Sequence, residues 1–143
     1  MISVKHTNEL SSKELIDILK TRVAVFVVEQ NCPYQEVDED DYDDLHVRLI
    51  EDGHLKAYTR IINKGDHITF GRVFVVKEYR KAGLGAKIVQ STIDEIKQRF
   101  PKQPIQIQAQ AYLQEFYAGF GFKAISDVYL EDNIPHLDML MEI

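Results

Sequence analysis

Val73-Phe74-Val75-Val76-Lys77-Glu78-Tyr79-Arg80-Lys81-Ala82-Gly83-Leu84-Gly85-Ala86 is the stretch that decides the fold. The run Val73 to Val76 is apolar throughout and reads as a buried strand. Leu84, Ile88, Val89, Ile93, Ile96 and Phe100 then recur at helical spacing until Pro101 stops the pattern. A strand thus passes through a basic, glycine-containing loop directly into an amphipathic helix beginning near Gly83. That order builds an anion site: glycines let the backbone approach a ligand, amides at the helix start point outward, and the helix dipole adds positive potential. Arg80 and Lys81 add formal charge. The spacing fits neither a Walker A loop nor the three-glycine dinucleotide fingerprint, and a plain helix cap with solvated basic residues fits it equally well.

Upstream, Ile2 to His6 reads as a strand. Ser11-Ser12-Lys13-Glu14 has the capping-box spacing, and Leu15, Ile18, Leu19 and Val23 give the following helix one buried stripe. The branched run Val25-Phe26-Val27-Val28 weakens helix propensity, so the end of that helix is open. A long loop follows, in which Glu36, Asp38, Glu39, Asp40, Asp41, Asp43 and Asp44 place seven carboxylates within nine residues. It reads as a solvated acidic loop, or as one that attracts a cationic acceptor. Leu45 to Glu51, His54 to Asn63 and His67 to Val76 then form an antiparallel meander with turns at Asp52-Gly53 and Lys64-Gly65-Asp66. Alternation in the third strand breaks at Gly71-Arg72, which predicts a bulge or entry into a more buried region. Downstream, Ile105 to Ala109 reads as a strand, Tyr112 to Ala118 as a short helix, and Phe122 to Ala124 and Leu137 to Glu142 as closing strands. The whole, residues 1–143, is one α/β (α+β) domain with a mixed, mostly antiparallel sheet flanked by helices.

A chain of 143 residues with 45% hydrophobic and 28% charged residues is ordinary for one globular domain. Its one cysteine, Cys32, permits no internal disulfide and no cysteine-based metal site, and no metal is expected. Setting the seven clustered carboxylates aside from the net charge of −6 leaves about +1, with no basic stripe of the kind a nucleic-acid partner needs. No segment reads as a membrane span or a secretory signal, so the expected location is cytoplasmic.

Strand, then Arg-x-x-Gly-x-Gly at Arg80, Gly83 and Gly85, then helix, resembles the coenzyme-A loop of the GCN5-related N-acetyltransferases (GNAT superfamily). Tyr117-Ala118-Gly119-Phe120-Gly121-Phe122 is similar to that family's Tyr-x-x-x-Gly-Phe segment. Arg22, Val25 to Gln30, Cys32 to Asp38, His46 and Leu130 to His136 look like its ElaA-like branch. The resemblance implies transfer of an acetyl group from acetyl-CoA, as co-substrate, to the amine of a small molecule or peptide in a ternary complex. It places the pyrophosphate on the amides of residues 80 to 85, the loop Arg80, Lys81, Ala82, Gly83, Leu84, Gly85 and Ala86 forming the cofactor site. It pairs the pantetheine arm with backbone of Phe74, Val75 and Val76, where one amide would polarise the thioester carbonyl. Tyr117 would be the general acid, since a phenol of pKa about 10 stays protonated at neutral pH.

A cationic amine must lose a proton before it attacks. Glu29, His46, Glu131 and His136 are the candidate bases, Glu29 and His136 being favoured because the resemblance places both in branch-specific motifs. Gln110 stands where many of these enzymes carry Asn, seven residues before the tyrosine, and its amide could still bond the pantetheine. Two other functions fit: an acyl-CoA-binding module without turnover, and a relative of the acyl-homoserine-lactone synthases, to which Arg22, Phe26 and the acidic stretch bear a faint similarity. A homodimer formed along an edge strand is compatible with the sequence.

Overall fold

The computed structural model describes residues 1–143. Its strands are β1 (Ile2–His6), β2 (Leu45–Glu51), β3 (His54–Asn63), β4 (Ile68–Val75), β5 (Ile105–Gln110), β6 (Lys123–Ala124), β7 (Tyr129–Glu131) and β8 (Ile134–Met141). Its helices are α1 (Ser12–Val23), α2 (Leu84–Arg99) and α3 (Gln114–Ala118). All eight strands join one sheet, in the order β1-β2-β3-β4-β5-β8-β6, with β7 also paired to β8. Only β4 and β5 run parallel, and they pair only at Ile68 and Ile105. Beyond that point the two strands diverge and leave a gap between them.

One face of the sheet buries Val47, Leu49, Ile61, Ile107 and Met139 against Ile88, Ile93 and Ile96 of α2. On the other face Ile18 of α1 packs with Val25, Tyr58 and Phe74. At the start of α1, Ser11 accepts a hydrogen bond from the Glu14 amide while the Glu14 carboxylate accepts from the Ser11 amide, so the expected capping box is formed. The branched run that weakened the helix does not end it: Ala24–Glu29 continue as a wider π-helical turn. Two other boundaries differ from expectation. Ala111–Leu113 form a 3₁₀ turn before α3, and the last strand begins at Ile134, pairing with β7 through a turn at Asp132 and Asn133, both at positive φ.

The acidic run is solvated only in part, with Glu39 and Asp43 exposed. Glu36, Asp41 and Asp44 are buried, because three arginines from three separate elements enter the loop. Arg22, fully buried on α1, donates to both oxygens of Glu36 and both of Asp41. Arg60 of β3 pairs with Asp38, Asp41 and Asp44, and Arg72 of β4 pairs with Glu36 and Asp38. Composition and spacing do not show which charges a fold will bring together, which is why the run read as exposed.

The network holds the bulge that the broken alternation predicted. Arg72 takes φ 51°, a conformation L-residues rarely adopt, and register slips between Tyr58 and Arg60 opposite it. Its Nε lies 2.6 Å from Glu36 and its Nη2 donates to the Glu36 carbonyl at 2.8 Å, so the side chain anchors the strained backbone. The slip reverses the phase of β4: Phe70 before it and Val73 and Val75 after it all pack toward the α2 core, while Phe74 turns to the α1 face.

Four carboxylates (Glu36, Asp38, Asp41 and Asp44) face three guanidiniums (Arg22, Arg60 and Arg72), so one carboxylate is in excess. Burial pushes Asp44 up to about 8, and its Oδ2 has no hydrogen-bond partner, so at neutral pH it carries the proton that balances the cluster. Burial likewise drives His46, bonded between Thr7 and Tyr58, down to about 4. Asp44, raised from 3.8, contributes stability that is lost as pH climbs toward 8. His46, lowered from 6.5, contributes stability that is lost as pH falls toward 4. The two oppose one another below about pH 6.5, and only Asp44 acts above it. Denaturant unfolding should therefore show stability falling by about 1.4 kcal/mol per pH unit between roughly pH 6.5 and 8, and Asp44→Asn should abolish that slope. An unchanged slope in the variant would remove the proton from Asp44.

Candidate active site

The gap between β4 and β5 opens into a cavity of about 930 Å³. Val73, Val75, Arg80 and Gly85 line it from one side, Gln108 and Gln110 from the other, and Tyr117 and His136 also contribute. Backbone hydrogen bonding decides which part of β4 faces the gap. The Val76 amide donates to the Lys56 carbonyl at 2.8 Å, and Phe74 lies opposite Tyr58 in the same antiparallel register. Alternation along that ladder directs the amides of Phe74 and Val76 toward β3 and the amide and carbonyl of Val75 away from it, into the gap. Of the three residues expected to offer backbone to a ligand, only Val75 does so, which corrects the expectation for Phe74 and Val76. The Phe74 ring instead stacks on Tyr58 at 5.3 Å between centroids.

The loop from Arg80 to Ala86 takes the form the sequence implies. Lys81 at φ 69° and Gly83 at φ 76° turn the chain so that α2 begins at Leu84. No amide from Lys81 to Ala86 donates to a backbone acceptor, the first main-chain bond of the helix being Lys87 to Gly83 at 3.2 Å. A Cβ on Gly85 would meet nothing closer than Val75 Cγ2 at 3.9 Å, so packing does not demand glycine there. What the missing side chain leaves open is the cavity wall, and amides plus helix dipole fit a phosphate group. Arg80 departs from expectation. Its Nε donates to the Val75 carbonyl at 2.9 Å and its two terminal nitrogens to the Glu29 carboxylate at 2.5 and 3.1 Å, so its charge is paired inside the protein.

Glu29 is therefore not the free base the sequence favoured. Hydrogen bonding from Arg80 lowers its pKa, opposite to what a proton acceptor for an ammonium requires, and it lies outside the cavity lining. His46 is buried under α1, neutral, and away from the cavity. Glu131 is exposed on the β7–β8 hairpin at the cavity wall. His136 does line the cavity. It sits on β8 opposite Gln110 of β5 and Tyr129 of β7, and its Nδ1 lies 2.7 Å from the Ile134 carbonyl. A carbonyl only accepts, so Nδ1 carries the hydrogen and, in the neutral ring, Nε2 keeps its lone pair.

Tyr117 packs among Phe70, Phe116 and Phe122 and is 6% exposed. Burial, reinforced by the nearby Tyr112, pushes its phenol up to about 12, so it is protonated across the physiological range. Sequence reading assigned no role to Arg72 or Tyr34, which meet as guanidinium over ring at 5.4 Å on the cavity wall. The phase break at Gly71-Arg72 marked the bulge without its anchor, and Tyr34 stood only within the Cys32 to Asp38 segment of the family resemblance.

A family profile described as "Acetyltransferase (GNAT) domain" matches residues 8–143. The chain belongs to the GNAT acetyltransferases. Protein ElaA of Escherichia coli is 41% identical over 143 residues, covering 96% of this chain and 94% of its own. Its crystal structure superposes with a TM-score of 0.94, covering 99% of each chain. An acyl-CoA N-acyltransferase of Pseudomonas aeruginosa, 39% identical, matches with a TM-score of 0.94 over 98% of this chain and 97% of its own. A UPF0039 protein of Schizosaccharomyces pombe is 42% identical over 142 residues, covering 97% of this chain and 95% of its own. Nitrogen-15 NMR should find the neutral His136 ring as the Nδ1–H tautomer; an Nε2–H ring would leave it without the lone pair that faces away from Ile134.

Proposed function

We propose that the protein is an acetyl-CoA-dependent N-acetyltransferase in which the acceptor amine attacks the thioester directly. The observation that carries this reading is the Val75 amide, left without a strand partner in the cavity that Tyr117 and His136 also line. Phosphate oxygens would rest on the free amides of Lys81 to Ala86. The pantetheine arm would follow the exposed edge of β4, within reach of the Gln110 amide.

The Val75 N–H would then face the thioester oxygen and stabilise the charge that develops on it as the C–N bond forms. The His136 Nε2 lone pair would accept the proton that the incoming ammonium must lose. As the carbon–sulfur bond breaks, the electron pair stays on sulfur and the Tyr117 phenol supplies its proton. The new amide nitrogen sheds its second proton to water, which returns one to the phenolate, and His136 releases the first to solvent, so that amide, CoA thiol and one proton leave and the cycle closes. The acceptor is a primary amine on a small molecule or peptide.

Turnover is read as free thiol released from acetyl-CoA against a panel of amines, beside calorimetric titration with acetyl-CoA. Tyr117→Phe should lower kcat by about 10² to 10⁴ while acetyl-CoA affinity stays within a few fold. Equal turnover in the two proteins would remove Tyr117 as the acid. A panel that never consumes thioester above background would leave a protein that binds acyl-CoA without turning it over.

A further inference from the structure

Arg80 lies in the anion loop with its charge already spent. Three acceptor atoms hold its guanidinium: both oxygens of Glu29, from the end of the π-helical turn 51 residues earlier, and the carbonyl oxygen of Val75. Glu29 thereby places a negative charge at the edge of a cradle whose free amides suit an anion. Arg80 in turn occupies a carbonyl on the strand edge that a pantetheine amide would use.

We propose that Glu29 is an internal counter-ion that holds Arg80 over the Val75 carbonyl, so that only a ligand carrying phosphate groups draws Arg80 away and uncovers that edge. The proposal rests on acyl-CoA being the ligand of this cavity. Both partners are 37% exposed, and an ion pair so placed is weak enough for an entering polyanion to displace. A pyrophosphate on the amides of α2 repels Glu29 and attracts Arg80 at once, so both partners respond to the same charge. Once released, the Val75 carbonyl and amide are both open toward the gap. Glu29 and Arg80 would then determine specificity, favouring intact acyl-CoA over acyl thioesters that lack the nucleotide end.

Calorimetry with CoA and with pantetheine, which has no phosphate, tests this in the wild type, Glu29→Gln and Arg80→Gln. Glu29→Gln should tighten CoA binding about fivefold and steepen its dependence on salt, because one anion is removed and one cation freed. Pantetheine should tighten by less than CoA in that variant, because it gains a loosened Val75 carbonyl but no freed charge. Arg80→Gln should weaken CoA and strengthen pantetheine, since the Val75 carbonyl loses its charged occupant. Weaker or unchanged CoA binding in folded Glu29→Gln would overturn the proposal, as would Arg80→Gln lowering both affinities together. A loss of turnover in Glu29→Gln at constant CoA affinity would make Glu29 part of the chemistry instead. Wild type that binds neither compound would contradict the functional reading itself, an outcome separate from all of these.

Discussion

The buried pairing of Arg72 with Glu36 sets the geometry on which the site depends. A guanidinium anchored to a carboxylate that is 2% exposed holds a non-glycine residue at positive φ, and that residue inserts the bulge into β4. The bulge shifts strand phase by one residue, which turns the Val75 amide and carbonyl into the gap and the Phe74 ring onto Tyr58. Arg22 and Arg60 complete the same cluster, so the helix before the loop and the strand beside it are tied to the point where β4 changes phase. Breaking one partner of such a cluster leaves an uncompensated buried charge, typically at a cost of about 3–5 kcal/mol. The acidic loop is thus part of the frame that shapes the active site.

Divergence of β4 from β5 does the rest. After Ile68 and Ile105 no further pairing holds the two strands together, and α2 and α3 stand beside the opening on the face where the main core lies. A cavity bounded by strand edges offers a ligand backbone hydrogen bonds at fixed positions, while Tyr117 and His136 enter from separate elements. His136 gains a defined tautomer from Ile134 and Tyr117 a protonated phenol from burial. Both are effects of environment on a single side chain, a hydrogen bond to one ring nitrogen in the first case and burial of a phenol in the second.

Much of this was legible in the chain. The capping box at Ser11 and Glu14, the meander from Leu45 to Val75, the start of α2 after Gly83 and the bulge at Gly71-Arg72 all follow from local rules of spacing and turn chemistry. The glycine-containing loop from Arg80 to Ala86 and Tyr117 stood out because their motifs are contiguous. What escaped was set by contacts distant in sequence. Arg22, Arg60 and Arg72 reach the acidic loop from 14 to 36 residues away, and Arg80 reaches Glu29 across 51, so nothing local distinguished a buried cluster from a solvated run or a free base from a paired one. The short β7 strand escaped for a different reason: Tyr129–Glu131 is three residues long and gives no usable periodicity.

The Val75 amide, which points into the gap between β4 and β5, is the proposed donor to a bound thioester. Residue-resolved amide hydrogen exchange, with and without acetyl-CoA, tests it most directly. The Val75 amide should exchange rapidly in the free protein and become protected when acetyl-CoA is added, while the Val76 amide, bonded to Lys56, is protected in both. A Val75 amide already protected in the free protein, or one that acetyl-CoA leaves unchanged, would contradict the account.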